Sequence, residues 1–458
     1  MKIFLILIFA FISIAAPAQR EDTLKYRIRL RDKKVSAYSL SRPHEFLSEK
    51  SINRRIRQHI AIDSTDLPVC RKYIDAIERI GVKTVAIGKW DNFITISCND
   101  TILVGRIAGL PFVQNMEKVW TVRKITAQKA LDYRNTLIHK KPDKGENWYG
   151  NASDQIRLCQ GDKLHAAGFK GKGMTIAVID EGFHHANVIK QLENVCVLGT
   201  KDFVNPPNNI YAEGDHGTRV FSCMAMNQPY IMVGTAPEAS YWLLRSEDSH
   251  SENLIEQDYW AEAVEFADSV GVDMINTSLG YYAFDDSSKN YTHNHLDGHY
   301  ALISRQASKV ADKGMIMVCS AGNAGSSLWK KITPPGDADN ILTVGAVDNN
   351  AVLANFSSTG NTTDGRIKPD VAALGVDVGI VHANGDIGKM NGTSFSSPVI
   401  CGIVACLWQA CPQLTAKEVI ALIHQSGDRS DHPDNTYGYG IPDIWKAYEL
   451  GKFNSFHP

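Results

Sequence analysis

The sequence lacks an excess of either charge. Its 48 basic and 50 acidic side chains leave a formal net charge of −2. That balance provides no long-range attraction for nucleic acid or an anionic membrane, so neither is an expected partner. Beyond the N-terminus no stretch approaches the ~20 apolar residues that a membrane-spanning helix needs. No internal repeat and no low-complexity tract is present, so the chain is not a repeat array. Cysteine is sparse for a disulfide scaffold. The nine residues are an odd number, and no pair has metal-ligand spacing. Several lie in apolar runs, such as Val318-Cys319 and Val404-Ala405-Cys406, and are expected to be small buried hydrophobes. Export would permit disulfides, and one is left open with no pairing assigned.

What is present points to an exported, multi-domain chain. A length of 458 residues suggests two or three domains, and 44% hydrophobic residues supply a large core. Lys2 precedes an apolar run from Ile3 to Ala15, and Ala16-Pro17-Ala18 has the small-x-small form of a signal-peptidase site. Residues 1–18 are therefore expected to be a cleaved signal peptide, with Gln19 as the new first residue and a periplasmic or secreted product. The competing reading, a membrane anchor, requires a longer run than this one.

Residues 19–125 form one compositional unit. Tyr26 to Leu30, Val82 to Ala86 and Phe93 to Ser97 read as strands. Glu45 to Ile60, Tyr73 to Ile80 and Thr101 to Leu110 read as helices, the last closely followed by Pro111. Arg54, Arg55 and Arg57 in the first of these are expected to form a solvated face. The result is a small α+β module. Residues 126–147, which include His139-Lys140-Lys141-Pro142, have the composition of an exposed, easily cut linker.

From 148 to 458 short apolar strands alternate with longer helices. Met174–Ile179, Tyr241–Leu244, Val272–Thr277, Met315–Cys319, Ile341–Val347 and Val371–Leu374 are strand candidates. Leu254–Val270, capped by Gly271, and Ala301–Lys313, capped by Gly314, are helix candidates. This alternation predicts an α/β fold with a mainly parallel sheet and helices on both faces. In such sheets reactive groups gather at the carboxyl ends of the strands.

Four strings fall at those ends. Asp180 closes the strand Met174–Ile179, where an unpartnered carboxylate would be costly. His216 stands in Asp215-His216-Gly217-Thr218 at a helix start. Asn323 follows the strand Met315–Cys319 in Ser320-Ala321-Gly322-Asn323, where its amide is placed to donate to a developing oxyanion. Ser394 lies in Gly392-Thr393-Ser394-Phe395-Ser396-Ser397-Pro398, ahead of a long apolar helix. The amide groups and dipole of that helix start favour negative charge. Pro398 is assigned to its first turn.

These strings, in the order Asp, His, Asn, Ser with spacings of 36, 107 and 71 residues, resemble the signatures of the subtilisin-like serine peptidases. Asn276-Thr277-Ser278-Leu279-Gly280, Val233-Gly234-Thr235-Ala236-Pro237, Phe356-Ser357-Ser358-Thr359-Gly360 and Lys368-Pro369-Asp370-Val371 extend the likeness, which covers about 148 to 448. The resemblance implies a serine endopeptidase with Ser394 as nucleophile, His216 as general base, Asp180 as its orienting carboxylate and Asn323 in the oxyanion hole. It further implies that Ser278, Leu279, Gly280, Ala321 and Gly322 bind an extended peptide or protein substrate as an added strand. The N-terminal module resembles the family's propeptide, a partner in cis that assists folding and occupies the cleft until it is removed. A monomer without cofactor is expected. Asn227 to Met232 has too few oxygen ligands for a convincing calcium loop.

Two departures stand out. Glu181 follows Asp180 where the family usually has Ser or Thr, and an inward-pointing carboxylate there raises the His216 pKa. Phe221-Ser222 replaces the usual Ala-Gly. Tyr281 and Tyr282 are placed to border a substrate pocket. The alternative function is a catalytically silent binding protein of the same fold. Silent relatives normally lose a triad member, and none is missing here. A lipase or esterase would carry Gly-x-Ser-x-Gly, which Gly392-Thr393-Ser394-Phe395-Ser396 does not match. His184-His185 lacks a third ligand at helical spacing and is read as a loop.

Overall fold

In a computed structural model of the chain, residues 23–121 and 147–454 are described. The expected signal peptide and the linker, up to residue 146, lie outside them.

The N-terminal module runs β1 (Lys25–Leu30), α1 (Glu49–Arg57), α2 (Arg71–Glu78), β2 (Lys83–Gly88), β3 (Phe93–Ser97), α3 (Thr101–Ala108) and β4 (Val113–Trp120). Its antiparallel sheet has the order β2-β3-β1-β4. Ile28, Leu30, Ile94 and Ile96 point to one face, where Ile74, Ile77 and Ile107 of the two helices close a core. Strand β4 escapes the sequence pattern. It is an edge strand whose Gln114, Asn115, Glu117 and Lys118 are exposed, so only Val113, Val119 and Trp120 mark a buried side.

One expectation for this module is overturned. Arg54 and Arg55 are not a solvated face; they are 2% and 1% exposed and lie against the following domain, whereas Arg57 is exposed. Their burial is tolerable because Arg54 meets the Asp268 carboxylate and three carbonyls, and Arg55 meets the carboxylates of Asp66 and Asp268. A sequence pattern cannot separate a helix face in water from one buried against a charged partner.

The larger domain continues with α4 (Ser153–Arg157), α5 (Gly161–Ala166), β5 (Thr175–Asp180), β6 (Cys196–Asp202), α6 (His216–Ala225), β7 (Asn227–Gln228), β8 (Met232–Val233), β9 (Ser240–Arg245), α7 (Ile255–Val270), β10 (Met274–Thr277), α8 (Leu302–Ser308), β11 (Ile316–Ser320), β12 (Leu342–Val347) and β13 (Val371–Leu374). It ends with a hairpin of β14 (Val378–Val381) and β15 (Ile387–Met390), then α9 (Thr393–Ala410), α10 (Ala416–Ser426) and α11 (Ile444–Asn454). Seven parallel strands form a sheet of order β13-β12-β11-β10-β5-β9-β6. Both faces are covered, which explains the unbroken apolar strands. Ile176 and Val178 of β5 join the layer containing α6 and α9. Ala177 and Ile179 join the opposite layer with α7. Helix α9 is long and apolar enough to cross a membrane, but 89% of it is buried inside the protein, as befits a core helix.

Gly271 and Gly314 cap their helices with φ of +85° and +82°, as expected. The helix expected over Ala301–Lys313 is broken. After Ser308 the bonds tighten to i→i−3, with Val310 N–H donating to Ala307 O, and a 3-10 turn covers Ala311–Lys313. All nine cysteines are free; Cys196 is exposed and the other eight are buried.

Candidate active site

The strand order reverses around β5. The chain passes from β5 to β6 and back to β9 on one side, then crosses to β10 on the other. The crevice at such a switch point, outside the carboxyl ends of the strands, is where ligands bind in open α/β sheets. Asp180 ends β5 there, and Ser278 directly follows β10.

Asp180 is fully buried, and its Oδ1 accepts from Glu181 N–H at 2.9 Å and from His216 Nδ1 at 2.7 Å. His216 is the first residue of α6. The glycine after it is sterically required: a Cβ on Gly217 would stand 2.4 Å from Gly182 O and 3.0 Å from Asp180 Cβ. The His-Gly string is thus the condition for the helix start to approach the Asp180 loop.

Ser394 sits in the first turn of α9, 5% exposed, with its Oγ 3.4 Å from Ser278 O. Gly392 precedes the helix with φ +152°, a conformation L side chains rarely adopt. Pro398 is not in the first turn, as expected from sequence, but six residues into α9. Its missing N–H is the one that would have met the carbonyl of Ser394. That carbonyl instead accepts from Ser278 Oγ at 2.9 Å. The helix therefore tolerates the proline, and Ser278 is tied to Ser394 by two hydrogen bonds.

Asn323 lies beyond the end of β11. Its Oδ1 accepts from both Thr393 N–H and Thr393 Oγ1, each at 2.9 Å. A backbone N–H only donates, which fixes the amide orientation and leaves Nδ2 as the donor facing Gly392. Thr393, unassigned from sequence, is what orients Asn323; its place directly before Ser394 was the available signal.

His216, Ser394, Asn323, Gly392, Gly280 and Gly322 all line one cleft of about 810 Å³. Ser278 and Leu279 line it too, whereas Ala321 is fully buried with its N–H donated to Val344 O in the sheet. Gly322, at φ +101°, leaves room for Thr333, whose Oγ1 would stand 2.9 Å from a Cβ there. Of the two tyrosines, Tyr282 lines the cleft and stacks on Trp329 at 4.6 Å. Tyr281 is instead a core residue, its hydroxyl donating to Glu247, a cleft residue the sequence did not single out.

Glu181 points inward: its Oε1 accepts from His216 N–H at 3.3 Å. Burial alone pushes the His216 imidazole down. The charge and hydrogen bond of Asp180, with the charge of Glu181, outweigh burial and the opposing Arg219, raising it to about 9. Elsewhere His184 and His185 stack at 3.8 Å in a loop, and Asn227 to Met232 forms the β7–β8 hairpin. Among the described residues no group of three or more His, Cys, Asp or Glu side chains is placed to hold a metal ion.

A doubly covered parallel sheet whose switch-point cleft joins an aspartate-bound histidine to a helix-start serine defines the class of subtilisin-like serine peptidases. Comparison with known proteins agrees. Residues 171–440 match the subtilase family, and residues 25–135 match the peptidase S8 propeptide domain of Bacteroidota. The chain is 30% identical over 269 residues to Subtilisin DY of Bacillus licheniformis, a match covering 58% of this chain and 87% of that protein. It is 30% identical over 301 residues to Serine protease AprX of Bacillus subtilis, covering 59% of this chain and 65% of the relative. For Subtilisin E of the same species the identity is 29% over 267 residues, covering 58% and 63%. The match thus spans slightly less than two thirds of the latter two. The chain belongs to the subtilase family.

Proposed function

We propose that this chain is an exported serine endopeptidase that hydrolyses peptide bonds through an acyl-enzyme. Its catalytic unit is assigned to residues 148–458, preceded by a signal peptide at 1–18, a propeptide at 19–125 and a linker at 126–147 where the maturing cut falls. Ser394 Oγ attacks the scissile carbonyl while His216 Nε2 takes its proton. His216 returns that proton to the departing amine, and a water then repeats the sequence to free the acyl group. Asp180 holds the ring through Nδ1–H and stabilises the imidazolium. Asn323 Nδ2 and the Ser394 N–H receive the oxyanion; such a side-chain donor contributes about 3 kcal/mol to the transition state. Ser278, Leu279 and Gly280 on one wall and Gly322 on the other accept an extended peptide backbone.

The observation that carries this reading is the 2.7 Å contact of His216 Nδ1 with Asp180 Oδ1, at a cleft shared with Ser394 and Asn323. A neutral ring that donates from Nδ1 keeps Nε2 as the base. The test is labelling of the secreted protein with a fluorophosphonate, alongside hydrolysis of an unfolded protein substrate. The wild type should be labelled on Ser394, cleave the substrate and lose its N-terminal module from the covalent chain. Ser394→Ala should do none of these. An unlabelled, inactive wild type of normal fold would favour the silent binding protein instead.

A further inference from the structure

On the proposed function, the carbonyl to be cut has little choice of place. It must come within reach of Ser394 Oγ, which lies 3.4 Å from Ser278 O, and turn its oxygen towards Asn323, the residue after Gly322. It therefore sits over the slot between two walls, Ser278–Gly280 on one side and Ala321–Gly322 on the other. The side chain of the residue that carries it enters that slot. Whatever ends the slot decides which residue can precede the cut.

One residue fills the space that both wall glycines leave. A Cβ on Gly280 would overlap Thr333 Oγ1 and stand 3.0 Å from Thr333 Cβ. A Cβ on Gly322 would stand 2.9 Å from the same Oγ1 and 3.2 Å from Thr333 Cγ2. Ser358 Oγ takes what remains at Gly322, 3.0 Å from the same point. The Thr333 side chain is thus wedged between the two walls. It lines the cleft, yet the residue is only 4% exposed.

The wedge is held from both sides. Thr333 N–H donates to Ala321 O on one wall at 3.2 Å. The next carbonyl, Pro334 O, accepts from Tyr281 N–H, directly after the other wall, at 2.9 Å. Gly336 N–H then closes a turn on Thr333 O at 2.7 Å. A β-branched side chain has little freedom about χ1, so Thr333 does not swing aside at low cost. The floor cannot drop without breaking bonds to both walls.

We propose that Thr333 is the specificity-determining residue of this cleft: it stops the slot short, so the enzyme cuts after a small residue such as glycine, alanine or serine and rejects an aromatic one. This inference rests on the proposed peptidase function and adds its substrate class. The selection is made by exclusion. A ring pushed between the walls meets the threonine methyl and hydroxyl, and a close-packed site that cannot relax makes such an overlap costly.

The experiment compares two fluorogenic peptides that differ only in Ala or Phe before the scissile bond. It uses the enzyme matured from the full chain, with fluorophosphonate labelling of Ser394 alongside. In the wild type, kcat/KM for the Ala peptide should exceed that for the Phe peptide roughly 100-fold. Thr333→Gly should erase most of that ratio by raising the Phe value. Thr333→Val, which keeps the shape and loses the hydroxyl, should leave the ratio as it is. Should Thr333→Gly fail to mature, Thr333→Ala removes the same Oγ1 and Cγ2 and should lower the ratio roughly tenfold. A wild type that is labelled yet cuts as readily after Phe would overturn the inference while leaving the peptidase reading intact. So would a ratio unmoved by removal of the threonine side chain, since something else would then end the slot. An unlabelled and inactive wild type would instead sink the peptidase reading, and this inference with it.

Discussion

Pro398 and Ser278 meet at one carbonyl. The proline withholds the amide that Ser394 O would use within the helix, and the Ser278 hydroxyl takes its place at 2.9 Å. Ser278→Ala leaves a buried acceptor unsatisfied, so stability should fall by about 1–3 kcal/mol in a urea titration. Ser278→Thr, which keeps the hydroxyl, should recover most of it. On the proposed function Asn323 holds the oxyanion, so Asn323→Ala should lower kcat by roughly 10²–10³-fold with KM little changed. Glu181 tests the electrostatics. His216 must be neutral to accept a proton, and its pKa is raised to about 9, so activity should climb through the alkaline range. Removing a nearby carboxylate lowers that pKa. Glu181→Ser should therefore move the acidic limb of the kcat/KM profile to lower pH, and an unmoved limb would show that Glu181 does not couple to the ring.

At the scale of elements, one buried carboxylate joins two strands to a helix. Asp370, just before β13, accepts from Lys368 Nζ at 2.6 Å, from Thr343 N–H of β12 at 2.7 Å and from His424 of α10 at 3.1 Å. Burial pushes its pKa up, but Lys368 and His424 outweigh burial and hold it at about 2. A carboxylate whose folded pKa lies below the unfolded value stabilises the fold above the ordinary carboxylate range, and that contribution is lost as pH falls towards 2. Asp370→Asn strands a buried lysine, so it should cost about 3–5 kcal/mol near neutral pH. It should also flatten the fall in stability between about pH 4 and pH 2. Urea titrations of both proteins across that range measure the two effects together.

At the scale of the whole molecule, the module and the catalytic domain are continuous in their cores, since Trp90 and Trp120 belong to the same cluster as Ile179 and Val264. The uncut Ser394→Ala chain is therefore expected to unfold in one calorimetric transition, with calorimetric and van't Hoff enthalpies equal. Two resolved transitions would mean that the domains melt separately. Much of this architecture was legible beforehand, because a strand buried on both faces writes itself as an apolar run, and glycine caps mark the end of α7 and of the turn after α8. The four site strings were legible for a related reason: Gly217 and Gly392 are demanded by local backbone geometry that any neighbouring residue would disturb. Strand β4 was hidden because an edge strand with one wet face has little apolar signal. The sequence by itself determined the parallel sheet, six of its seven strands and the residues that gather at the switch point; the half-exposed edge strand β6 carried no apolar run to mark it. Only the tertiary structure decided that Arg54 and Arg55 are buried, that Thr393 orients Asn323 and that Ser278 stands in for a missing amide. Each of those depends on which distant group supplies the partner for a charge or a hydrogen bond, and pairing across the fold leaves no periodic trace along the chain.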